Sequence, residues 1–194
     1  ALGSDVDGIP QSNQKPGVAY RDPILSMAPG HGEGHNSGQA VNIVAALNVK
    51  ELMERENIDG TLMIWPGIAE EQLGSKAFFV RDGVFDGVDV NLFTHVSSNF
   101  SVTWGHTSGN ALVSAQFRFT GETAHSAGSP WRGRSALDAI MLLAQAWEYK
   151  REHLRPPQRS HYIIVEGGDQ PNVVPQTATI WFYFREVDYA RVIE

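Results

Sequence analysis

Hydrophobic texture changes part-way along this chain, and the change excludes a single uniform sheet. Before about residue 108 the apolar residues come as short continuous runs, Thr61-Leu-Met-Ile-Trp65, ended by Pro66-Gly67, and then Val90 to Val96. Runs of this kind suit strands covered on both faces of a parallel sheet. Ahead of them, Asn36 to Glu56 has the length of a helix of about six turns, with its apolar residues at Val41, Val44, Ala45, Leu47, Leu52 and Met53. From Ala111 the pattern becomes a period of two. Leu112, Ser114, Gln116, Arg118 and Thr120 interleave with Val113, Ala115, Phe117 and Phe119, as in a half-exposed strand.

A second helix is predicted from about Ser135 to His153, with Leu137, Ile140, Met141, Ala144 and Trp147 on one face and Pro156-Pro157 to stop it. Strands over Ser160 to Glu166 and Thr177 to Arg185 follow. Asp188 is placed to cap a helix that has only begun at Glu194. The first segment reads as α/β and the second as β-α-β-β-α, one strand short of a split β-α-β sandwich. Residues 10 to 30 read as a loop, and Gly105 to Asn110 has the composition of a hinge. These features divide the chain into 1–108 and 109–194. Core packing is expected to account for most of Trp65, Trp104, Trp131, Trp147 and Trp181.

Charge and composition remove several classes of function. Fifteen Lys and Arg against 22 Asp and Glu leave a formal charge of -7, which disfavours nucleic acid and anionic membranes. The densest basic stretch is Lys150 to Arg159. No apolar run approaches the ~20 residues of a membrane span, and no signal peptide is visible. With no cysteine, thiolate nucleophiles and thiolate metal sites are excluded, a composition compatible with the cytoplasm. The unfinished last helix makes a truncated chain the expectation.

Metal chemistry must therefore use His, Asp and Glu, and the sequence concentrates them. Gly30-His-Gly-Glu-Gly-His-Asn36 places three potential ligands within five residues, separated by glycines, just before a helix. Alone, this reads equally as an exposed glycine-rich turn. Glu70-Glu71 follows soon after the strand ending at Trp65, near the sheet edge where open α/β folds hold ligands. One carboxylate of such a pair can bind a cation while its neighbour serves as a general base. His95 lies in or at the end of the run Asn91 to Val96. Carboxylate and imidazole together suit zinc, manganese or cobalt.

Taken in order, Ser4-Asp-Val-Asp-Gly-Ile-Pro10, the glycine-histidine loop, Glu70-Glu71, Thr94-His95-Val96, the run Gly121 to Ala139 and Gly167-Gly-Asp-Gln-Pro-Asn-Val-Val-Pro175 resemble the co-catalytic metal amidohydrolases and carboxypeptidases. That family includes aminoacylases, auxin-conjugate hydrolases and carboxypeptidase G, and the resemblance covers essentially the whole chain. It implies an α/β metallopeptidase-like catalytic domain, here partial (1–108), with an inserted α+β split β-α-β dimerisation lid (109–194) truncated in its second helix. It makes Glu33, His35, Glu71 and His95 metal ligands, Glu70 the general base, and Asp7 a support behind the metals. Glu33 stands where the auxin-conjugate branch carries Cys. His125 matches a histidine that stabilises the oxyanion in a partner subunit's site, while Asn172 and Arg185 match substrate-binding positions, and His31 stays structural.

The implied cofactors are two divalent metal ions, zinc or manganese. The implied reaction is hydrolysis of an amide in an N-acyl or aminobenzoyl amino acid, such as p-aminobenzoyl-glutamate. A homodimer or heteromer through the lid is the expected assembly, with a small-molecule substrate and neither nucleic acid nor membrane as partner. The family's further C-terminal histidine ligand has no counterpart here. The alternative is a non-catalytic fragment or interaction module with a vestigial metal site.

Overall fold

The computed structural model describes residues 1–105 and 109–194, in two compact units, Ala1–Ser101 and Val102–Glu194. The boundary expected near residue 108 and His106 lie outside the described residues. No helix among the described residues is long and apolar enough to cross a membrane.

In the first unit, β1 (Leu2–Asp5) is the middle strand of a parallel sheet. β2 (Ile64–Gly67) lies on one side of it and β3 (Leu92–Phe93) on the other. Leu2 to Asp5 face Ile64 to Gly67 in register, and Gly3 faces Phe93 on the other side. The sequence pattern places β2 at Thr61 to Trp65, but the strand begins three residues later and includes Pro66-Gly67. Proline is tolerated because β2 is an outer strand of this sheet. The predicted strand over Val90 to Val96 shortens to two residues, so His95 lies past its end. All three strands run the same way, and their C-terminal ends share one edge.

Helix α1 (His35–Glu56) packs on β1, and its contact face corrects a sequence expectation. The buried positions are His35, Gly38, Asn42 and Ala46, spaced by three and four residues as one helical stripe requires. Val41, Val44, Leu47 and Leu52 are exposed. Small side chains face the sheet because the backbones approach closely. A Cβ on Gly38 would stand 2.1 Å from Ser4 Oγ, and one on Gly3 would stand 2.1 Å from the Trp65 indole. Asn42 Oδ1 accepts a hydrogen bond from Thr94 Oγ1 at 2.7 Å, joining the helix to the segment after β3. Beyond β2 come a single 3-10 turn at Glu70–Gln72 and α2 (Lys76–Arg81).

The second unit is an antiparallel sheet ordered β4-β6-β5, from β4 (Ala111–Thr120), β5 (Arg159–Glu166) and β6 (Thr177–Glu186). One face is covered by α3 (Ala136–Arg151). Ala136, Ile140 and Ala144 of the helix meet Ala178, Ile180 and Phe182 of β6 to form the core. α3 is capped by Ser135 Oγ, which accepts from the Asp138 N–H at 3.1 Å. Asp188 likewise caps α4 (Tyr189–Ile193), accepting from the Arg191 N–H at 2.9 Å. The unit thus has the α+β order read from its sequence.

The tryptophans divide differently from expectation. Trp65 is buried against Phe85 and Phe93, and Trp147 packs on Phe182 and Phe184. Trp104 and Trp131 are exposed. Trp181 is only half-buried, with Nε1 donating to Ser114 Oγ at 2.8 Å.

The tight helix-strand approach yields a prediction. Gly38→Ala should lower stability by about 1–3 kcal/mol, the usual cost of forcing atoms into a filled core. Gly167→Ala, whose Cβ would meet only Leu137 and Ile164 at 3.5 and 3.6 Å, ordinary contact distances, should leave the urea midpoint nearly unchanged.

Candidate metal centre

Each side chain of the cluster is delivered by a strand end or the turn after it. β1 leads into Asp7, β2 into Glu70 and Glu71, and β3 into His95, while the loop before α1 supplies Glu33 and the first residue of α1 is His35. Gly34 lets that loop turn into the helix with φ of 74°, a conformation that suits glycine. One ligand atom each from Glu33, His35 and His95 lie within 4.8 Å of one another, as do atoms from Glu33, His35, Glu70 and Glu71. The two groups share Glu33 and His35.

His35 is the fixed point. It is 2% exposed, and its Nδ1 lies 3.0 Å from the Asp7 carbonyl oxygen. A carbonyl only accepts, so Nδ1 carries a proton, and Nε2 is a lone pair in the neutral ring and a second donor in the protonated one. A carbonyl or carboxylate behind the ring in this way is the usual means of orienting a metal-binding imidazole. Nε2 is buried without a hydrogen-bond partner and faces Glu33 Oε1 at 3.1 Å. Nitrogen and carboxylate oxygen that close require a proton or a cation between them. Burial pulls the His35 pKa down, but the Asp7 carbonyl and the charges of Glu33, Asp5 and Asp7 outweigh it and raise it.

Glu71 experiences the same crowding from the acid side. Its pKa is pushed up to about 7, first by a hydrogen bond with the Glu33 carboxyl, then by burial and by the charges of Glu33, Glu70 and Asp7. Its N–H donates to Asp7 Oδ2 at 3.0 Å, so Asp7 orients both His35 and Glu71. Glu71 Oε1, Asp7 Oδ1 and Asp5 Oδ1 are buried without hydrogen-bond partners among the described residues. Unpartnered acceptors of this density fit a divalent cation. His95 is exposed; its Nδ1 lies 2.9 Å from the Val96 carbonyl, which leaves Nε2 free. Its ring meets that of His35 edge-on with centroids 5.2 Å apart.

Sequence reasoning misses Lys76. Its Nζ donates to Asp5 Oδ2 at 2.8 Å and lies over the Phe93 ring, 4.7 Å from the centroid. It supplies the countercharge that the buried Asp5 needs. As one lysine in a short helix it carries no signal in the sequence. His31, expected to be structural, belongs to the turn in which its carbonyl accepts from the Gly34 N–H. A cavity of about 660 Å³ toward the other end of α1 has an apolar wall of Ile43, Leu47, Met53, Ile58 and Ile64 and a charged rim of Lys50, Glu54 and Asp59, and it includes none of the cluster's residues.

The remaining expected residues lie on the second unit. His125 Nδ1 accepts the N–H groups of Ala127 at 3.2 Å and Gly128 at 3.0 Å. An acceptor Nδ1 fixes the proton on Nε2, which becomes an outward donor. The Ser126 N–H donates to the Asn172 carbonyl at 3.0 Å, so His125 and Asn172 sit on adjoining loops. Arg185 is exposed near the end of β6, its guanidinium 5.8 Å from the centre of the Tyr183 ring.

With chelator present, the Glu71 shift should appear in stability. The folded state holds this proton up to about pH 7, whereas the ordinary carboxyl value is 4.5. Stability contributed by protonated Glu71 is therefore present at low pH and lost as pH rises between these values. Thermal melts in chelator should show the parent chain losing stability relative to Glu71→Gln across that window. A difference that stays flat or grows would contradict the assigned environment.

Comparison with known proteins adds an independent view. Residues 107–193 match the M20 family model described as the peptidase dimerisation domain. The chain is 36% identical over 186 residues to one of the subunits of p-aminobenzoyl-glutamate hydrolase from Escherichia coli (strain K12), covering 95% of this chain and 38% of that protein. It is 31% identical over 159 residues to the Xaa-Arg dipeptidase of Homo sapiens, covering 80% of this chain and 36% of that protein. It is 28% identical over 184 residues to the indole-3-acetyl-aspartic acid hydrolase of Enterobacter agglomerans, covering 92% and 40%. The chain thus spans about two fifths of the length of these curated relatives. Among solved structures, a putative aminohydrolase from methicillin-resistant Staphylococcus aureus shares the fold, with a TM-score of 0.65 at 21% identity, covering 97% of this chain and 51% of that one.

Proposed function

We propose, from the premise that this chain fits the M20 amidohydrolase family, that it contributes the metal-binding half-site and lid of a hydrolase acting on the amide bond of an N-acyl or aminobenzoyl amino acid, such as p-aminobenzoyl-glutamate. Members of the family are metal-dependent hydrolases, and the second unit carries its dimerisation domain. The observation that carries the reading is the buried His35 Nε2 set 3.1 Å from Glu33, beside a buried Glu71 oxygen that has no partner among the described residues. Such an arrangement is costly unless a cation occupies it.

In this reading residues 1–108 belong to the catalytic domain and 109–194 to the lid. Glu33, His35, Glu71 and His95 hold two divalent ions, zinc or manganese, with Asp7 fixing His35 and Glu71. When bound, such ions polarise the substrate carbonyl and acidify water. Glu70 takes the proton of the attacking water and passes it to the leaving amine nitrogen. The His125 Nε2–H donates to the oxyanion, in the site of a partner subunit. Asn172 and Arg185 bind the substrate, with the guanidinium gripping a carboxylate through paired hydrogen bonds. The assembly is a homodimer or heteromer formed through the lid, in the cytoplasm, and it involves neither nucleic acid nor membrane.

Metal content per chain tests the reading first. Two ions bound per chain, lost together in Glu33→Ala, support it; no bound metal would leave an interaction module with a vestigial site. Glu70→Ala should lower turnover about 10²–10⁴-fold, the range of a lost general base, with metal content nearly unchanged. Loss of metal in Glu70→Ala would instead exchange the roles of the two adjacent glutamates.

A further inference from the structure

Backbone strain gathers in the turn that carries Glu70 and Glu71. Of the six non-glycine residues with positive φ among the described residues, three lie there: Ala69, Leu73 and Ser75, at 56°, 58° and 55°. A Cβ makes this region unfavourable, and such residues persist only where the surroundings over-determine them. The turn's own bonds supply part of that determination. The Ile68 N–H donates to Ser75 Oγ at 2.9 Å, and the Leu73 and Gly74 N–H groups donate to the carbonyls of Glu70 and Ala69, each at 2.8 Å. These bonds close residues 68–75 on themselves, and leave the far end to be tied to the sheet by something else.

Two carboxylates of the β1 segment do the tying. In the middle of the turn the Glu71 N–H donates to Asp7 Oδ2. At its far end Lys76 donates from Nζ to Asp5 Oδ2 at 2.8 Å. Asp5 is 1% exposed, and its carboxylate has room only because residue 67 is glycine, since a Cβ there would collide with Asp5 Oδ1. Lys76 also lies over the Phe93 ring, an attraction of the cation–π kind. Phe93 in turn stacks on His95, with centroids 6.4 Å apart and planes inclined by 21°. One ammonium therefore bears on β1 through Asp5, on β3 through Phe93, and along the backbone on the turn after β2.

A countercharge for Asp5 needs no particular attachment. What is particular to Lys76 is its place, as the first residue of α2 and the neighbour of Ser75, the last strained residue of the turn. It also keeps hold of a carboxylate whose Oδ2 is 4.0 Å from His35 Nε2. Asp5 nevertheless belongs to neither group of converging ligand atoms.

We propose that Lys76 is a positioning residue, which grips Asp5 so that the strained turn presents Glu70 and Glu71 to the cation site. The inference rests on the reading of Glu70 as general base and Glu71 as metal ligand, and adds the residue that places them. Lys76 itself touches neither ion nor substrate. Without the grip, Ala69, Leu73 and Ser75 relax toward negative φ, and the two glutamates turn away from Glu33 and His35. Charge and position act in opposite directions here. An ammonium one carboxylate away from His35 opposes a bound cation as a like charge, whereas its hold on the turn favours one.

Metal affinity and amide exchange, both measured on the whole chain, test this apart from turnover. In Lys76→Met, zinc or manganese should bind about 10–100-fold more weakly by calorimetry, the usual cost of losing a residue that orients a ligand. Loss of the charge alone would tighten binding. Lys76→Arg, which keeps the grip, should retain most of the affinity. Lys76→Met leaves Asp5 buried and unpaired, a strongly destabilising state, so Asp5→Asn/Lys76→Met repeats the test without that penalty. It removes one charge of each sign, and weaker binding there reports position. In metal-free protein, the Glu71, Leu73 and Gly74 amides should exchange faster in both variants relative to those of α1. Unchanged or tighter metal binding in the double variant, or exchange that quickens equally in α1, would overturn the inference. A parent chain that binds no metal removes the hydrolase reading, and exchange in the turn then decides the role of Lys76 alone.

Discussion

The close approach of α1 to β1 sets the rest of the first unit. Gly38 lies against Ser4 with no room for a Cβ, and Gly3 lies equally close to Trp65. That contact places the first residue of the helix, His35, over the ends of the parallel strands, where β1 delivers Asp7 and the turn after β2 delivers Glu71. The Asp7 carbonyl then fixes the imidazole, and the Asp7 carboxylate fixes the backbone of Glu71. A single displaced methyl group at this contact would move every member of the cluster, because interiors are packed too densely to absorb it.

Such a cluster is costly without a cation. Glu33, Glu70, Glu71 and Asp7 crowd one another enough that Glu71 keeps its proton to about pH 7, and the partly exposed Lys76 gives the buried Asp5 its countercharge. The first unit therefore holds a locally unfavourable charge arrangement within an otherwise ordinary sheet-and-helix layer. In the proposed reading a bound cation would release the Glu71 proton and return the cost as stability, coupling metal binding to the folding of this edge.

The cluster is legible in the sequence because its residues have few other uses: glutamate and histidines separated by glycines, and a Glu-Glu pair just after a strand, are poor core material. The scaffold beneath is not. β1 is four residues containing Gly, Ser and Asp, which gives no apolar run, and its strand character comes from its neighbours on both sides. The packing face of α1 is hidden for the same reason. Apolar periodicity points to Val41, Val44 and Leu47, whereas backbone proximity selects Gly38, Asn42 and Ala46, and hydrophobicity does not report proximity. In the second unit, where burial of large side chains does decide the face, the strands, the helix and the Asp188 cap all lie where the pattern predicts. The pairing of Arg159 with Arg185 is silent in the sequence because it depends on β5–β6 register.

The acidic cluster can stay uncompensated because no guanidinium reaches it among the described residues. A guanidinium within reach of Glu33 or Glu71 would take the carboxylate in a two-point pair and occupy the oxygens a cation needs. Lys76 instead directs its ammonium to Asp5, behind the crowded carboxylates. The repulsion is therefore built into the folded chain, and in the proposed reading a bound cation would remove it, which makes affinity a consequence of relieved repulsion as well as of added contacts.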